Sequence, residues 1–126
     1  MSKELINTSK APAAVGPYSQ GIRSGDTCYF SGQIGLVPET GKMVEGDVAA
    51  QAEQALKNLS AALAEAGLGT ENVVKTVVFI TDMANFPAVN EVYKKYFSAP
   101  YPARSCVAVA GLPLGALVEV EAIATR

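Results

Sequence analysis

Residues 73–81 read Val-Val-Lys-Thr-Val-Val-Phe-Ile-Thr, and the strand that they predict is apolar on both of its faces. Successive side chains of a strand point to opposite faces of the sheet. The alternation divides the apolar residues into two sets, Val74, Val78 and Ile80 against Val77 and Phe79. A strand of this kind needs cover on both faces of its sheet.

Two amphipathic helices are predicted on either side of this strand, over about residues 47–66 and 86–97, because apolar residues recur there every three or four positions. Asp47 is suited to cap the first helix and Gly67 to end it. Pro87 falls in the first turn of the second helix, where a missing backbone N–H does no harm.

Shorter apolar runs predict the remaining strands, at about residues 20–24, 27–34, 105–109 and 117–124, with a further short one near Leu5. This order of strands and helices favours one mixed sheet with both helices packed on it, an α+β fold. Two helices cover only one face, so the simplest cover for the other face is a second copy of the chain. We therefore expect a homo-oligomer that buries the helix-free side of the sheet.

An arginine stands where two prolines end and an apolar run begins, in the segment Tyr-Pro-Ala-Arg-Ser-Cys-Val at residues 101–107. Proline cannot donate ladder hydrogen bonds, so the strand is predicted to start close to Arg104, with Cys106 on the same face. A guanidinium fixed at the mouth of a strand is a preformed fork for a carboxylate or phosphate. The alternative is an ordinary rim arginine paired with an acidic residue.

Two carboxylates on the closing strand are candidate partners for this arginine. Alternation places Glu119 and Glu121 on the open face of the sheet, where partial burial demands a partner or a shifted pKa. Arg104 would then bind a substrate carboxylate, and one glutamate would orient or deprotonate water. The same residues would serve equally well as a buried Arg–Glu pair that holds subunits together.

Three further positions are candidates for a site. Asn90 lies on the apolar stripe of the second helix, where its amide is either a helix-to-loop clamp or a site residue. Tyr18, in Gly-Pro-Tyr-Ser-Gln-Gly at 16–21, lies either at the edge of a pocket or in a plain turn. Gly32 interrupts a predicted strand, which is typical of a bulge or a close backbone approach, and simple alternation groups it with Phe30.

The composition argues against several classes of function. The 126 residues carry ten basic and twelve acidic side chains without a basic cluster, so we expect neither nucleic acid nor a membrane as a partner. With no histidine, and with Cys28 and Cys106 not spaced as ligands, no metal site and no imidazole-based nucleophile is predicted. The absence of a signal peptide or a membrane-spanning run predicts a cytoplasmic protein, with a single domain over residues 1–126.

Four segments together resemble a known family in their order and spacing. They are Ala-Pro-Ala-Ala-Val-Gly-Pro-Tyr-Ser-Gln-Gly at 11–21, Ser-Gly-Gln-Ile at 31–34, Pro-Ala-Arg-Ser-Cys-Val at 102–107 and Val-Glu-Val-Glu-Ala-Ile-Ala at 118–124. Through them the chain resembles the RidA subgroup of the Rid family, the reactive intermediate deaminases, over about residues 11–126. The resemblance implies a chorismate-mutase-like α+β fold, assembled as a homotrimer with a pocket at each subunit interface.

The resemblance also implies the activity of a 2-iminobutanoate/2-iminopropanoate deaminase, which needs no cofactor. Such an enzyme hydrolyses reactive 2-enamine and 2-imine acids, for example 2-aminoacrylate and 2-iminobutyrate, to 2-keto acids and ammonia. Carried over by position, Arg104 would bind the substrate carboxylate together with the Cys106 backbone amide, and Glu119 would hold the attacking water. The residues implied to line the pocket are Tyr18, Ser31, Gly32 and Asn90.

Other functions draw on the same features. A non-catalytic trimeric module would bind small acids in the same cleft and regulate a partner, with ligand binding but no turnover. A chorismate mutase would need a second arginine for its dianionic substrate, and neither Arg23 nor Arg126 has an evident place beside Arg104. Nucleolytic activity finds no histidine, basic groove or metal cluster to support it.

Overall fold

Six strands and two α-helices make up the fold in the computed structural model, which describes residues 2–126. In chain order they are β1 (Glu4–Ile6), β2 (Gly21–Ser24), β3 (Thr27–Gln33), α1 (Val48–Glu65), β4 (Val73–Ile80), α2 (Phe86–Tyr96), β5 (Ala103–Ala108) and β6 (Val118–Thr125). The predicted α+β class is confirmed, and each predicted element is present with its ends moved by one or two residues.

The strands form one mixed sheet in the order β1-β2-β3-β6-β4-β5. β4 and β5 run parallel and are joined through α2, whereas every other neighbouring pair is antiparallel. The doubly apolar strand β4 therefore lies inside the sheet, between β6 and β5. β5, which carries Arg104, is an edge strand.

Both helices pack on one face of the sheet and enclose the core there. α1 begins where the Asp47 carboxylate accepts a hydrogen bond from the Ala50 amide at 3.1 Å, and it ends just before Gly67, whose φ is +76°. Fully buried side chains of α1 meet those of β4 and β6 in this core, and the largest are Leu56, Leu59, Leu63, Ile80, Val78, Val118 and Val120. Burying a side chain of this size contributes about 1.5–3 kcal/mol.

The alternation along β4 is broken near its start. Thr76, Val78 and Ile80 are buried on the helix side, but Val74 is 47% exposed, so the prediction that Val74 shares their face is wrong. The cause is a register shift against β6 between Val73 and Lys75. This bulge puts Val73 into the core instead of Val74.

A second irregularity lies in β3 and has consequences for the site. Phe30 pairs with Ala122 and Gln33 with Val120, so β3 contains one residue more than β6 over this interval. Gln33 is consequently buried, and the simple alternation that groups Gly32 with Phe30 is wrong. The bulge that the strand glycine indicated is confirmed.

The opposite face of the sheet carries no helix in the part of the chain that the structure describes. Glu119 and Glu121 lie on this open face beside Phe79 and Val77, as predicted. Tyr29 and Val107 are on it too and are 49% and 42% exposed. None of the helices found among residues 2–126 is both long and apolar enough to cross a membrane.

Candidate functional site

Arg104 extends from the edge strand towards helix α2. It is the register partner of Thr76, so its side chain is on the helix side of the sheet. Its Nη1 donates a hydrogen bond to Asn90 Oδ1 at 2.8 Å. Its Cζ lies 4.8 Å from the centroid of the Tyr93 ring and 5.3 Å from that of Phe86, within range of cation–π attraction.

The geometry of α2 explains why these partners meet. Phe86, Asn90 and Tyr93 are spaced i, i+4 and i+7, which places them on one stripe of a helix. The guanidinium lies along this stripe, with an aromatic ring near each end and the amide between them. The amide of Asn90 therefore links α2 to β5 through Arg104.

The guanidinium has no acidic partner among residues 2–126. Arg104 takes part in none of the salt bridges found in this part of the chain, so no acidic residue there pairs with it as the rim-arginine alternative requires. Asn90 engages one of its donors, and the side chain is exposed to solvent. Arginine presents five N–H groups, so donors remain for an anion.

Cys106 lies two residues further along β5, on the same face as Arg104 and level with Val78. It is half-buried against the core. Burial raises the pKa of the Cys106 thiol, and the nearby positive charge of Arg104 opposes that rise. The thiol is therefore protonated near neutral pH and is not set up as a nucleophile.

A second cluster forms around Glu119 on the open face. The bulge in β3 brings Gly32 so close to Glu119 that a Cβ built at Gly32 would overlap the Glu119 carboxylate, so any side chain there would displace it. Burial raises the pKa of the Glu119 carboxyl, and the neighbouring Glu121 raises it further. Gly32 and Glu119 line a cavity of about 290 Å³ together with Tyr18.

Tyr18 lies in the loop that precedes β2, and two hydrogen bonds join Ser31 to the same loop. Ser31 Oγ donates to the carbonyl of Ser19 at 2.6 Å, and the Ser31 amide donates to the carbonyl of Gln20 at 3.0 Å. Tyr18 is 52% exposed at the rim of the cavity, so it belongs to a pocket edge and not to a plain packed turn. The remaining walls of the cavity are largely apolar.

Sequence reasoning missed Gln20, which holds this loop in place. Its side chain is 2% exposed. Gln20 Oε1 accepts from the Thr8 amide at 2.7 Å, and its Nε2 donates to the carbonyls of Thr8, Ala11 and Pro12 at 3.0, 3.3 and 2.8 Å. The available signal was a long amide directly before an apolar strand, where burial obliges it to find backbone partners.

Comparison with known proteins identifies the family. The family model described as Endoribonuclease L-PSP matches residues 8–126. The chain belongs to this family. It is 52% identical over 124 residues to the 2-iminobutanoate/2-iminopropanoate deaminase of Mus musculus, which covers 98% of this chain and 92% of the mouse protein.

Two solved structures are similar to the chain over nearly its whole length, and one of them is a RidA. RidA from an Antarctic Psychrobacter is 48% identical, with a TM-score of 0.94, and the match covers 98% of this chain and 99% of that one. TdcF of E. coli with bound serine is 46% identical, again with a TM-score of 0.94 and with the same coverage of 98% and 99%. The fold and the family predicted from the sequence are thereby confirmed.

In this RidA-type chain the two clusters lie on opposite faces of the sheet. Arg104, Asn90 and Cys106 are on the helix side at edge strand β5, whereas Glu119 and Gly32 are on the open side at β6 and β3. One copy of the chain therefore does not bring the arginine and the glutamate together. A site that uses both residues needs two copies.

Proposed function

We propose that this chain, acting as one domain over residues 1–126, is an enzyme that hydrolyses 2-imino and 2-enamino acids to 2-keto acids and ammonia. Its relatives at about 50% identity over nearly the whole chain carry the name 2-iminobutanoate/2-iminopropanoate deaminase. The observation that carries the proposal is the environment of Arg104. Its guanidinium has no acidic partner in residues 2–126, lies near two aromatic rings and keeps N–H donors that Asn90 does not use.

Arg104 binds the substrate carboxylate in this proposal, and the backbone amide of Cys106 assists it. A bidentate guanidinium–carboxylate pair fixes both the distance and the plane of the ligand. The imine carbon, bonded directly to that carboxylate, is then held at a defined position. Asn90 keeps the guanidinium in place by accepting from Nη1.

Glu119 holds the attacking water and accepts its proton. The water oxygen adds to the carbon of the C=N bond, the proton passes to the Glu119 carboxylate, and the nitrogen is protonated in turn. In the resulting tetrahedral carbinolamine the hydroxyl loses its proton and the amino nitrogen gains one. The C–N bond then breaks, ammonia leaves, and the C=O bond of the 2-keto acid forms. A carboxylate whose pKa is raised is a stronger base than an ordinary glutamate, which suits it to this transfer.

The site forms between copies of the chain in a homotrimer. The placement of Arg104 and Glu119 on opposite faces of one sheet supports this assembly. So does the open face, which exposes Tyr29 and Val107 and has no helix to cover it in residues 2–126. Tyr18, Ser31 and Gly32 would line the Glu119 side of the interface, facing Arg104 and Asn90 of the neighbouring copy.

A second candidate function is a non-catalytic module that binds small acids. The structure of E. coli TdcF with bound serine favours it, because serine is an acid that a deaminase of imines would not turn over. Both functions use the arginine in the same way. Only the enzyme accelerates the decay of an imine, so turnover separates the two.

The proposal extends to the surroundings of the enzyme. We assign it to the cytoplasm, where both unpaired cysteines, Cys28 and Cys106, would stay reduced. Nucleic acid is not a partner in this proposal, because the chain has a net charge of −2 and no histidine. A homopolymeric RNA added to the assay below should be neither cleaved nor inhibitory.

The decisive assay generates 2-iminobutyrate with a threonine dehydratase and follows its loss. Wild-type protein should speed the loss, and Arg104→Ala should reduce kcat/KM by at least about 100-fold because two charge-assisted hydrogen bonds disappear. Arg126→Ala, which removes an exposed arginine beside Asp26, is the matched control and should behave as wild type. Decay at the buffer rate with wild-type protein would overturn the enzyme and leave the binding module.

A further inference from the structure

Tyr93, which the sequence assigns only to the core, lies directly against the proposed carboxylate-binding arginine. It is 5% exposed, and its ring centroid is 4.8 Å from Arg104 Cζ. The far end of the ring is anchored, because Tyr93 Oη and Thr76 Oγ1 are 2.8 Å apart in a buried hydrogen bond. The ring therefore has little freedom to move away from the guanidinium.

The anchor itself belongs to the strand neighbouring Arg104. Thr76 on β4 is the register partner of Arg104 on β5, so both side chains leave the sheet on the same face and at the same level. Thr76 is fully buried. Thr76 on β4 thus holds the Tyr93 ring, and the ring in turn lies against the Arg104 guanidinium. Asn90 completes this unit by accepting a hydrogen bond from Arg104 Nη1.

The hydrogen bond between the Tyr93 and Thr76 hydroxyls is not needed to fill the core. A phenylalanine opposite a valine would fill the same volume without burying two polar groups that must find each other. Tyr93 and Thr76 bury a hydroxyl each and satisfy both in one bond. What the pair adds is a fixed orientation for a ring that a charged side chain rests on.

We propose that Tyr93 is a positioning residue for Arg104: its ring, anchored by Thr76, fixes the plane of the guanidinium so that the donors not taken by Asn90 face the substrate carboxylate. An arginine ordered in advance does not lose its rotamer freedom when the ligand binds. This inference rests on the proposed function only for the identity of the bound carboxylate. The ordering of Arg104 by Tyr93 in the ligand-free protein is independent of that function.

The test compares two tyrosines of the same helix. Tyr93→Leu removes the ring and Tyr93→Phe removes only the anchor, whereas Tyr96→Leu is the matched control, since Tyr96 bonds Glu53 of α1 and does not touch Arg104. Two quantities are measured: the heteronuclear NOE of the Arg104 Nε–Hε group in ligand-free protein, assigned through Arg104→Lys, and the kinetics with 2-iminobutyrate.

Tyr93→Leu should lower the NOE and raise KM by about 10-fold, with a much smaller effect on kcat, because a cation–π contact mainly supports binding of the carboxylate. Tyr93→Phe should raise KM by about 2-fold to 3-fold. Tyr96→Leu should leave both the NOE and KM unchanged. If Tyr93→Leu does not fold, Tyr93→Phe and Thr76→Val carry the test, each expected to lower the NOE.

An unchanged NOE in the folded Tyr93 and Thr76 variants would overturn the positioning role. So would a rise in KM for Tyr96→Leu as large as that for Tyr93→Leu, because the effect would then come from general loosening of the helix. A wild-type protein that does not accelerate imine decay is a different result. It would overturn the proposed function, and the NOE would then decide the positioning role alone.

Discussion

At the scale of single residues, Glu119 shows how burial and a like charge prepare a group for chemistry. Its pKa is raised by burial first and by Glu121 second. Because the proposed mechanism needs the carboxylate form, activity should be lost as the pH falls through this raised pKa. The acid limb of kcat/KM is therefore expected above the ordinary glutamate value of 4.5.

Removing the neighbouring charge should move that limb. Glu121→Gln abolishes the repulsion that disfavours the Glu119 carboxylate, so the acid limb of kcat/KM should shift to lower pH. Asp26→Asn, which removes an exposed carboxylate beside Arg126, is the control for the lost charge. The same limb in both variants would mean that Glu119 is not the titrating base.

Gly32 lies where any added side chain would displace Glu119. A Cβ there would overlap Glu119 Oε2, so Gly32→Ala must displace the carboxylate. A displacement of about 1 Å costs on the order of 100-fold in rate, and we expect a loss of that size in kcat. Gly111→Ala is the matched control, since a Cβ at Gly111 meets nothing within 4 Å. Full activity of Gly32→Ala would separate Glu119 from the reaction.

The sequence singled out the candidate site residues more readily than it did their neighbours. Arg104, Asn90 and Glu119 stand out because a charge or an amide in an apolar pattern needs an explanation. Tyr93 and Phe86 give no such signal, since an aromatic residue on a helix stripe is ordinary core. Their contact with the guanidinium depends on how α2 lies across the end of β5, which local patterns do not contain.

At the scale of elements, the two helices are joined by a polar clamp on their outer side. Glu53 of α1 accepts hydrogen bonds from Tyr96 Oη and, at 3.1 Å, from Lys95 Nζ of α2. The bond from Tyr96 lowers the pKa of the Glu53 carboxyl most, and Lys95 adds to this against the effect of burial. The clamp therefore joins the C-terminal end of α2 to α1.

The clamp makes a prediction about stability and pH. A carboxylate whose pKa is lowered in the folded state stabilises the protein at pH values above its unfolded-state pKa, about 4.5. This stabilisation is lost as the pH falls through the lowered pKa of the folded state. The Tm of Glu53→Gln should therefore lie below that of wild type at pH 7, and the gap should close on acidification. Glu91→Gln removes a more exposed partner of Lys94 on the same helix and serves as control. Identical Tm curves for both variants would contradict the clamp.

The elements themselves were largely predictable, and the irregularities were not. Periodicity found both helices and all six strands, and Asp47 and Gly67 marked the ends of α1. The bulges near Val74 and Gly32 depend on the register of β6, a strand far away in the sequence. Buried Asn58, which donates to the carbonyls of Ile34 and Leu36, likewise fixes a connection that no local pattern shows.

At the scale of the whole molecule, the two faces of the sheet determine which surface needs cover and where Arg104 and Glu119 lie. The doubly apolar strand β4 indicated from the sequence that the helix-free side needs cover, for which a second copy of the chain is the simplest candidate. Local patterns could not show that Arg104 and Glu119 lie on different faces, because that follows from the pairing of β5 with β4 and of β4 with β6. Because of this arrangement, the proposed site, which uses both residues, would need two copies of the chain.

The most direct measurement of the central claim is subunit complementation. Arg104→Ala and Glu119→Gln are purified separately, each inactive, then unfolded together, refolded at equal amounts and assayed with 2-iminobutyrate. If each site takes its arginine from one copy and its glutamate from the next, random mixing in a closed ring restores about one quarter of the wild-type sites. We expect that recovery. A mixture that assembles to the wild-type size but stays as inactive as its separate components would rule out a site shared between two copies.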